Sequence, residues 1–90
     1  MDFEWDSAKA AANFKKHAVS FEEAVSALKD DLAATARDLE HGTTEFRFIT
    51  FGISVHGRLL TVSHTERGNS IRIISARLAT RTERKIYEEN

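Results

Sequence analysis

Ile71-Arg72-Ile73-Ile74-Ser75-Ala76-Arg77 is the stretch on which the reading of this chain turns. Ile71, Ile73 and Ile74 are β-branched residues of the kind a pleated, buried surface favours, whereas Arg72, Ser75 and Arg77 carry polar groups into the same segment. A strand of this composition lies inside a sheet and presents polar side chains from a rigid backbone. Two guanidinium groups held in that way suit a phosphate, whose oxygens accept paired N–H bonds.

Upstream of this stretch lie two four-residue links that each contain glycine, Ser54-Val55-His56-Gly57 and Glu66-Arg67-Gly68-Asn69. Such links are hairpin chemistry, and they separate residues 45–53, 58–65 and 70–77 into three strands of an antiparallel meander. Symmetric hairpins would pair Ile53 with Arg58 and Thr65 with Ser70. One face would then hold Ile49, Phe51, Ile53, Leu60, Val62, Ile71 and Ile73 as a core, with Arg47 beside His64 at one end and Arg58 beside Arg77 at the other. The opposite face would hold Phe48, Thr50, Thr61, Ser63, Arg72 and Ile74, which suits either a binding surface or the seat of a helix. Residues 32–39, with Ala and Thr in place of stronger strand formers, read as an edge strand followed by a polar turn over 40–44.

The helices announce themselves by their caps. Phe3, Glu4 and Trp5 make a short extended start, and Asp6 or Ser7 can cap a helix running to about His17. Ala10, Ala11, Phe14 and Ala18 would form its apolar face, opposite Lys9, Asn13 and Lys16. Ser20 with Glu23 reads as a capping box, followed by the core-facing stripe Phe21, Ala24, Val25 and Leu28 of a helix over 20–29. Glu22 and Glu23 there read as partners of the helix dipole. A second capping box, Thr80 with Glu83, opens a last helix over 80–89 that has only a thin apolar stripe. The fold class is therefore α+β: an antiparallel sheet with two N-terminal helices and one C-terminal helix, in a single domain spanning residues 1–90.

Ninety residues bury roughly 60 to 65% of their unfolded surface, enough for one core. The absence of cysteine excludes disulfides, thiolate metal sites and a cysteine nucleophile. Neither a basic-then-apolar leader nor a membrane-spanning run is visible, so the expectation is a cytoplasmic protein without a membrane partner. The net charge of −1 conceals an asymmetry: residues 1–40 carry −4, residues 41–87 carry +5, and residues 88–90 carry −2. The basic part is the part with the strands, and it can attract a polyanion, although a pI near 6.4 is low for tight nucleic-acid binding by charge alone.

His17, His41, His56 and His64 show no metal-ligand spacing, and neither a nucleophilic-serine frame nor a glycine-rich phosphate loop is present. The expectation is no metal and no cofactor. Metal-free cleavage of RNA asks for less, because the substrate brings its own nucleophile, the 2′-hydroxyl. The protein then needs to orient the phosphodiester, oppose the developing charge and move protons. Arg47, Arg58, Arg72 and Arg77 could supply charge, and His64 or His41 could move protons, with Glu45 or Tyr87 as alternates. Against this stands the plainer role of a strand arginine as an ion-pair partner, here of Glu45, Glu66 or Glu83.

The motifs Lys16-His17, Phe21-Glu22-Glu23-Ala24, Glu45-x-Arg47, Gly57-Arg58-Leu59-Leu60, His64-Thr65-Glu66-Arg67-Gly68, Ile71 through Arg77, and Ala79-Thr80-x-x-Glu83-Arg84-x-x-Tyr87-Glu88 together resemble the BrnT toxins of bacterial type II toxin–antitoxin systems. Asp38-x-x-His41 also fits. The resemblance implies a RelE-like fold and a ribonuclease that blocks translation. It also implies a BrnA-like antitoxin with a ribbon-helix-helix domain, binding operator DNA and assembling a 2:2 heterotetramer. With it, the candidate catalytic residues are Arg47, His64, Arg72 and Arg77, and the candidate substrate contacts are Lys16, His41, Arg58 and Tyr87. The chain departs from the common pattern at Ala18, where glycine is usual, and at Asp30-Asp31-Leu32, which lacks the usual Asp-Pro. The competing reading is a module without turnover that binds RNA or protein and acts by occlusion. Direct operator binding is disfavoured, since no helix is rich in exposed Arg and Asn.

Overall fold

Short polar side chains set the start of each helix. In the computed structural model, which describes residues 1–39 and 46–90, Asp6 accepts the Lys9 amide and opens α1 (Ser7–His17). Ser20 accepts the Glu23 amide and opens α2 (Phe21–Leu28), and Thr80 accepts that of Glu83 and opens α3 (Arg81–Glu89). The strands are β1 (Asp2–Glu4), β2 (Ala34–Arg37), β3 (Arg47–Ile53), β4 (Leu59–Arg67) and β5 (Ser70–Leu78). They form one sheet in the order β1-β5-β4-β3-β2, so β5 is internal and β2 an edge strand. The polar turn expected at 40–44, with His41, lies outside the described residues, as does Glu45.

The meander β2 to β5 is antiparallel, but the sheet as a whole is mixed. β1 joins it parallel to β5, pairing Phe3 with Ile71 and Glu4 with Arg72. Three residues are too few to announce a strand by alternation, which is why only an extended start is legible there. The first glycine link also differs from a symmetric hairpin: Ile53 pairs with Leu59, not with Arg58. That one-residue change turns β3 over relative to β4. Thr50 and Gly52 therefore face the core beside Val62 and Leu60, while Ile49 and Phe51 share the other face with Ser63 and Thr61. The second link tightens to Gly68-Asn69 between the paired residues Arg67 and Ser70, with Gly68 at φ 59°, a left-handed conformation open to glycine.

Packed on the core face, α2 contributes Phe21, Ala24 and Ala27 to a buried cluster with Val19, Leu60, Val62, Ile73 and Ala76. Each large member contributes about 1.5 to 3 kcal/mol on removal from water. The helix descends so far onto β3 that a Cβ on Gly52 would stand 2.2 Å from the Ala27 carbonyl oxygen. Only glycine fits.

Helix α1 packs Ala10 on the core and exposes Lys9 and Lys16 as expected, but is rotated so that Ala11, Phe14 and Ala18 face out and Asn13 faces in. Phe14, expected on the apolar face, is 56% exposed, and Asn13, expected on the polar face, is buried. Burial is tolerable because every polar atom of the Asn13 amide is used. Its nitrogen donates to the Val19 carbonyl (3.0 Å) and the Ala76 carbonyl (2.8 Å), and its oxygen accepts the Ala76 amide (3.1 Å). Asn13 thereby stands in for a strand neighbour on β5 beyond the reach of β1. The helix ends at Ala18, which sits at φ 56° and donates its amide to the Phe14 carbonyl. Alanine in this left-handed cap carries a steric cost that glycine would not.

Two substitutions test this account by urea denaturation. Ala18→Gly should raise stability by about 0.5 to 1 kcal/mol, because relief of the left-handed strain exceeds the added unfolded-state entropy. Asn13→Ala should lower it by about 2 to 4 kcal/mol, since buried backbone groups on Ala76 and Val19 lose their partner, whereas Phe14→Ala should cost less than about 1 kcal/mol.

Candidate active site

On the sheet face turned away from α1 and α2, one irregularity decides which side chains meet. β4 pairs Thr65 with Arg72 and His64 with Ile73, but Ser63 with Ser75 and Thr61 with Arg77, so β5 carries one extra residue opposite Ser63 and His64. Arg72 and Arg77 are five residues apart and would point to opposite faces of an unbroken strand. The bulge returns Arg77 to the face that Thr61, Ser63, Thr65 and Arg72 share. Arg47, directly across from Thr65, lies on it as well.

A concavity of about 280 Å³ opens on this face. Arg47 and Asp38 border it on the β2–β3 side and Arg77 on β5, with Ile49, Thr61, Ser63, Ile74 and Ser75 between them. Arg47 and Arg77 stand four residues apart in β4 register, about 13 Å along the strand direction, a span their long side chains narrow. Arg72 lies in the row of Arg47, on the far side of Thr65, with Glu4 3.6 Å away.

Helix α3 closes the Arg77 end. Both Arg77 terminal nitrogens donate to Glu83, at 2.8 and 2.9 Å, and the Thr61 hydroxyl donates to the same carboxylate at 2.8 Å. Glu83 also accepts the Thr80 amide, completing the capping box. The Arg77 fork, with help from these donors, holds the Glu83 carboxyl down at about 2. The last helix is fixed at its other end by Tyr87, whose hydroxyl donates to Asp30 at 2.6 Å and is pushed up in pKa by that bond.

Other expected contributors lie elsewhere. Arg58 is not beside Arg77: it is on the core side, bound by Nε and Nη2 to the buried Glu23, and it donates to the Ala18 carbonyl as well. Glu23, read from sequence as a dipole partner in a capping box, turns its side chain away from Ser20 to meet Arg58 and the Ser54 hydroxyl, and those bonds hold its pKa low. His64 is not beside Arg47. It pairs with Phe48 on the core face, is 5% exposed, and stacks on the Phe48 ring at 5.8 Å. Its Nε2 meets the Thr50 hydroxyl at 2.8 Å, and Thr50 in turn meets Thr35 at 2.7 Å. The buried Nδ1 has no partner among the described residues, and burial pushes the ring down to about 4. A neutral, enclosed imidazole of this kind is poorly placed to carry protons to a phosphate. Lys16 is exposed in the last turn of α1, on the other side of the sheet from the concavity. Among the described residues no group of acidic or histidine side chains could hold a metal ion.

The comparisons with known proteins now bear on this geometry. The family profile for "Ribonuclease toxin, BrnT, of type II toxin-antitoxin system" matches residues 5–83. The chain belongs to the BrnT family. Among solved structures, the Brucella abortus ribonuclease toxin BrnT superposes with a TM-score of 0.64 at 22% identity, covering 90% of this chain and 99% of that one. This match shows a shared BrnT fold, with its helices and five-stranded sheet. No curated protein matches the chain by sequence. BrnT membership means a ribonuclease toxin that is paired with a protein antitoxin.

The pKa shifts set a testable pH dependence. Between pH 6.5 and about 4 unfolded chains protonate His64 and folded ones do not, so stability falls as pH drops through that window, by on the order of 3 kcal/mol in all. Glu83 adds a second loss as pH falls from 4.5 toward 2. Urea titrations at stepped pH should show the first slope and lose it in His64→Gln, and the His64 ring should titrate near 4 by NMR.

Proposed function

We propose that this BrnT-family chain is an endoribonuclease that stops translation by metal-independent cleavage of RNA, with the substrate 2′-hydroxyl as nucleophile, and that a BrnA-like ribbon-helix-helix antitoxin neutralises it in a 2:2 assembly. Operator DNA is then bound through the antitoxin alone. The observation that carries the reading is the bulge-aligned face on which Arg47 and Arg77 border one hydroxyl-lined concavity, with Arg72 in the adjoining row. Arg47 lines the concavity from the first position of β3 and can bring its charge to a phosphodiester held there. Thr61, Ser63 and Ser75 offer hydroxyls that can orient a phosphate or pass a proton, and a sheet backbone keeps them in place as charge develops. Support for the RelE-like assignment comes from the sequence resemblance, and for the protein partner from the family's type II classification.

One observation favours the occlusion reading: Arg58, Arg72 and Arg77 each already face a carboxylate of the chain itself. The two readings part on substitution. With inducible expression and mapping of RNA 5′ ends, the wild-type chain should arrest growth and yield discrete new ends. Arg47→Ala and Arg77→Ala should each reduce cleavage by about a hundredfold or more while remaining folded. Arg58→Ala should instead act through stability, lowering it by about 2 to 4 kcal/mol by stranding Glu23, and leave the specific activity of folded protein nearly unchanged. Growth arrest without new RNA ends would favour occlusion.

A further inference from the structure

At the end of the sheet where β3 begins, a second concavity of about 380 Å³ is bounded by Phe46, Phe48, Thr65, Glu66 and Gly68. Phe46 is 64% exposed there. Its place is fixed on two sides: its carbonyl accepts the Thr65 hydroxyl at 2.7 Å, and the Arg37 guanidinium lies 4.3 Å from the ring centroid. Glu66 is exposed and makes no ion pair among the described residues. Its carboxylate is thus an acceptor-only group beside an aromatic platform.

We propose that this concavity is a nucleobase subsite that selects guanine in single-stranded RNA. The base stacks on Phe46, Arg37 extends the stack, and Glu66 accepts from the Watson–Crick edge. Guanine alone among the four bases presents two adjacent donors on that edge, N1–H and the N2 amine, which match the two carboxylate oxygens; adenine turns an acceptor, N1, toward them. Phe46 directly precedes Arg47 at the start of β3, but Phe48 beside it lies on the core face and Arg47 on the other, so an RNA strand reaches both by passing over this end of the sheet. As a substrate-specificity element, the subsite rests on the ribonuclease reading above.

The test uses 2′-O-methyl hexanucleotides, which lack the attacking hydroxyl, and reads binding by fluorescence anisotropy. A hexamer with one guanine should bind at least about fivefold more tightly than its adenine counterpart, and inosine, which lacks the N2 amine, should fall between them. Phe46→Ala should weaken binding by at least about fivefold. Glu66→Gln should remove the guanine preference and leave adenine binding in place. Both positions are exposed, so circular dichroism melts should stay at the wild-type temperature. Equal affinity of the wild-type chain for guanine and adenine hexamers, or a guanine preference that survives Glu66→Gln, would overturn the subsite. Cleavage of RNA by a chain that shows no guanine preference sinks the subsite and spares the ribonuclease reading. Guanine-selective binding by a chain that never cuts RNA does the reverse.

Discussion

An antiparallel strand alternates its side chains, and an interval of five residues changes face. The extra residue in β5 opposite Ser63 and His64 is therefore the constraint behind the whole polar surface of the sheet. It places Arg77 on the face of Arg47 and away from the core. It also leaves Ile73 inside the core and Ile74 on the polar face, so both neighbours in the isoleucine run find use. On the other side of β5, where β1 stops at Arg72, Asn13 gives Ala76 the two hydrogen bonds that a longer β1 would have given.

Two carboxylates then sort the arginines. Glu23 holds Arg58 at the junction of α1, α2 and the β3–β4 link, where Ser54 and the Ala18 carbonyl complete the set; this is a structural knot between helices and sheet. Glu83 holds Arg77 at the rim of the concavity, and through Thr80 and Thr61 ties the start of α3 to the sheet. Ionic bonds of such geometry fix position more surely than they add net stability. Arg47 borders the same concavity from β3, beside Asp38.

What the sequence discloses follows from how local each signal is. Caps are local, so the three helices and their starts are legible from Asp6, Ser20 and Thr80. The glycine links are local too, and they mark the hairpins. Facing is not local. Ile53 meeting Leu59 and the extra residue near Ile74 are settled by the fit of α2 onto Gly52 and by Asn13 on Ala76, contacts across long stretches of chain. The same holds for Arg58: its partner Glu23 sits in a capping-box frame whose side chain has been drawn off by a residue 35 positions away. Glu83 is legible only as one of three possible arginine partners, with Glu45 and Glu66; that it meets Arg77 depends on how α3 turns back onto the end of β5. Thr61, Ser63 and Ser75, ordinary strand hydroxyls, become notable only once the bulge places them together.

The parallel pairing of β1 with β5 has a consequence in time. Residues 2–4 have no sheet partner until residues 70–72 exist, and Asn13 waits for Ala76. During synthesis the first strand and the irregular turn of the last one become competent together, when nearly all of the matching chain has left the ribosome. The arginine face waits on the same strand, because Arg72 and Arg77 both lie on β5 and come opposite Thr65 and Thr61 only when it pairs with β4.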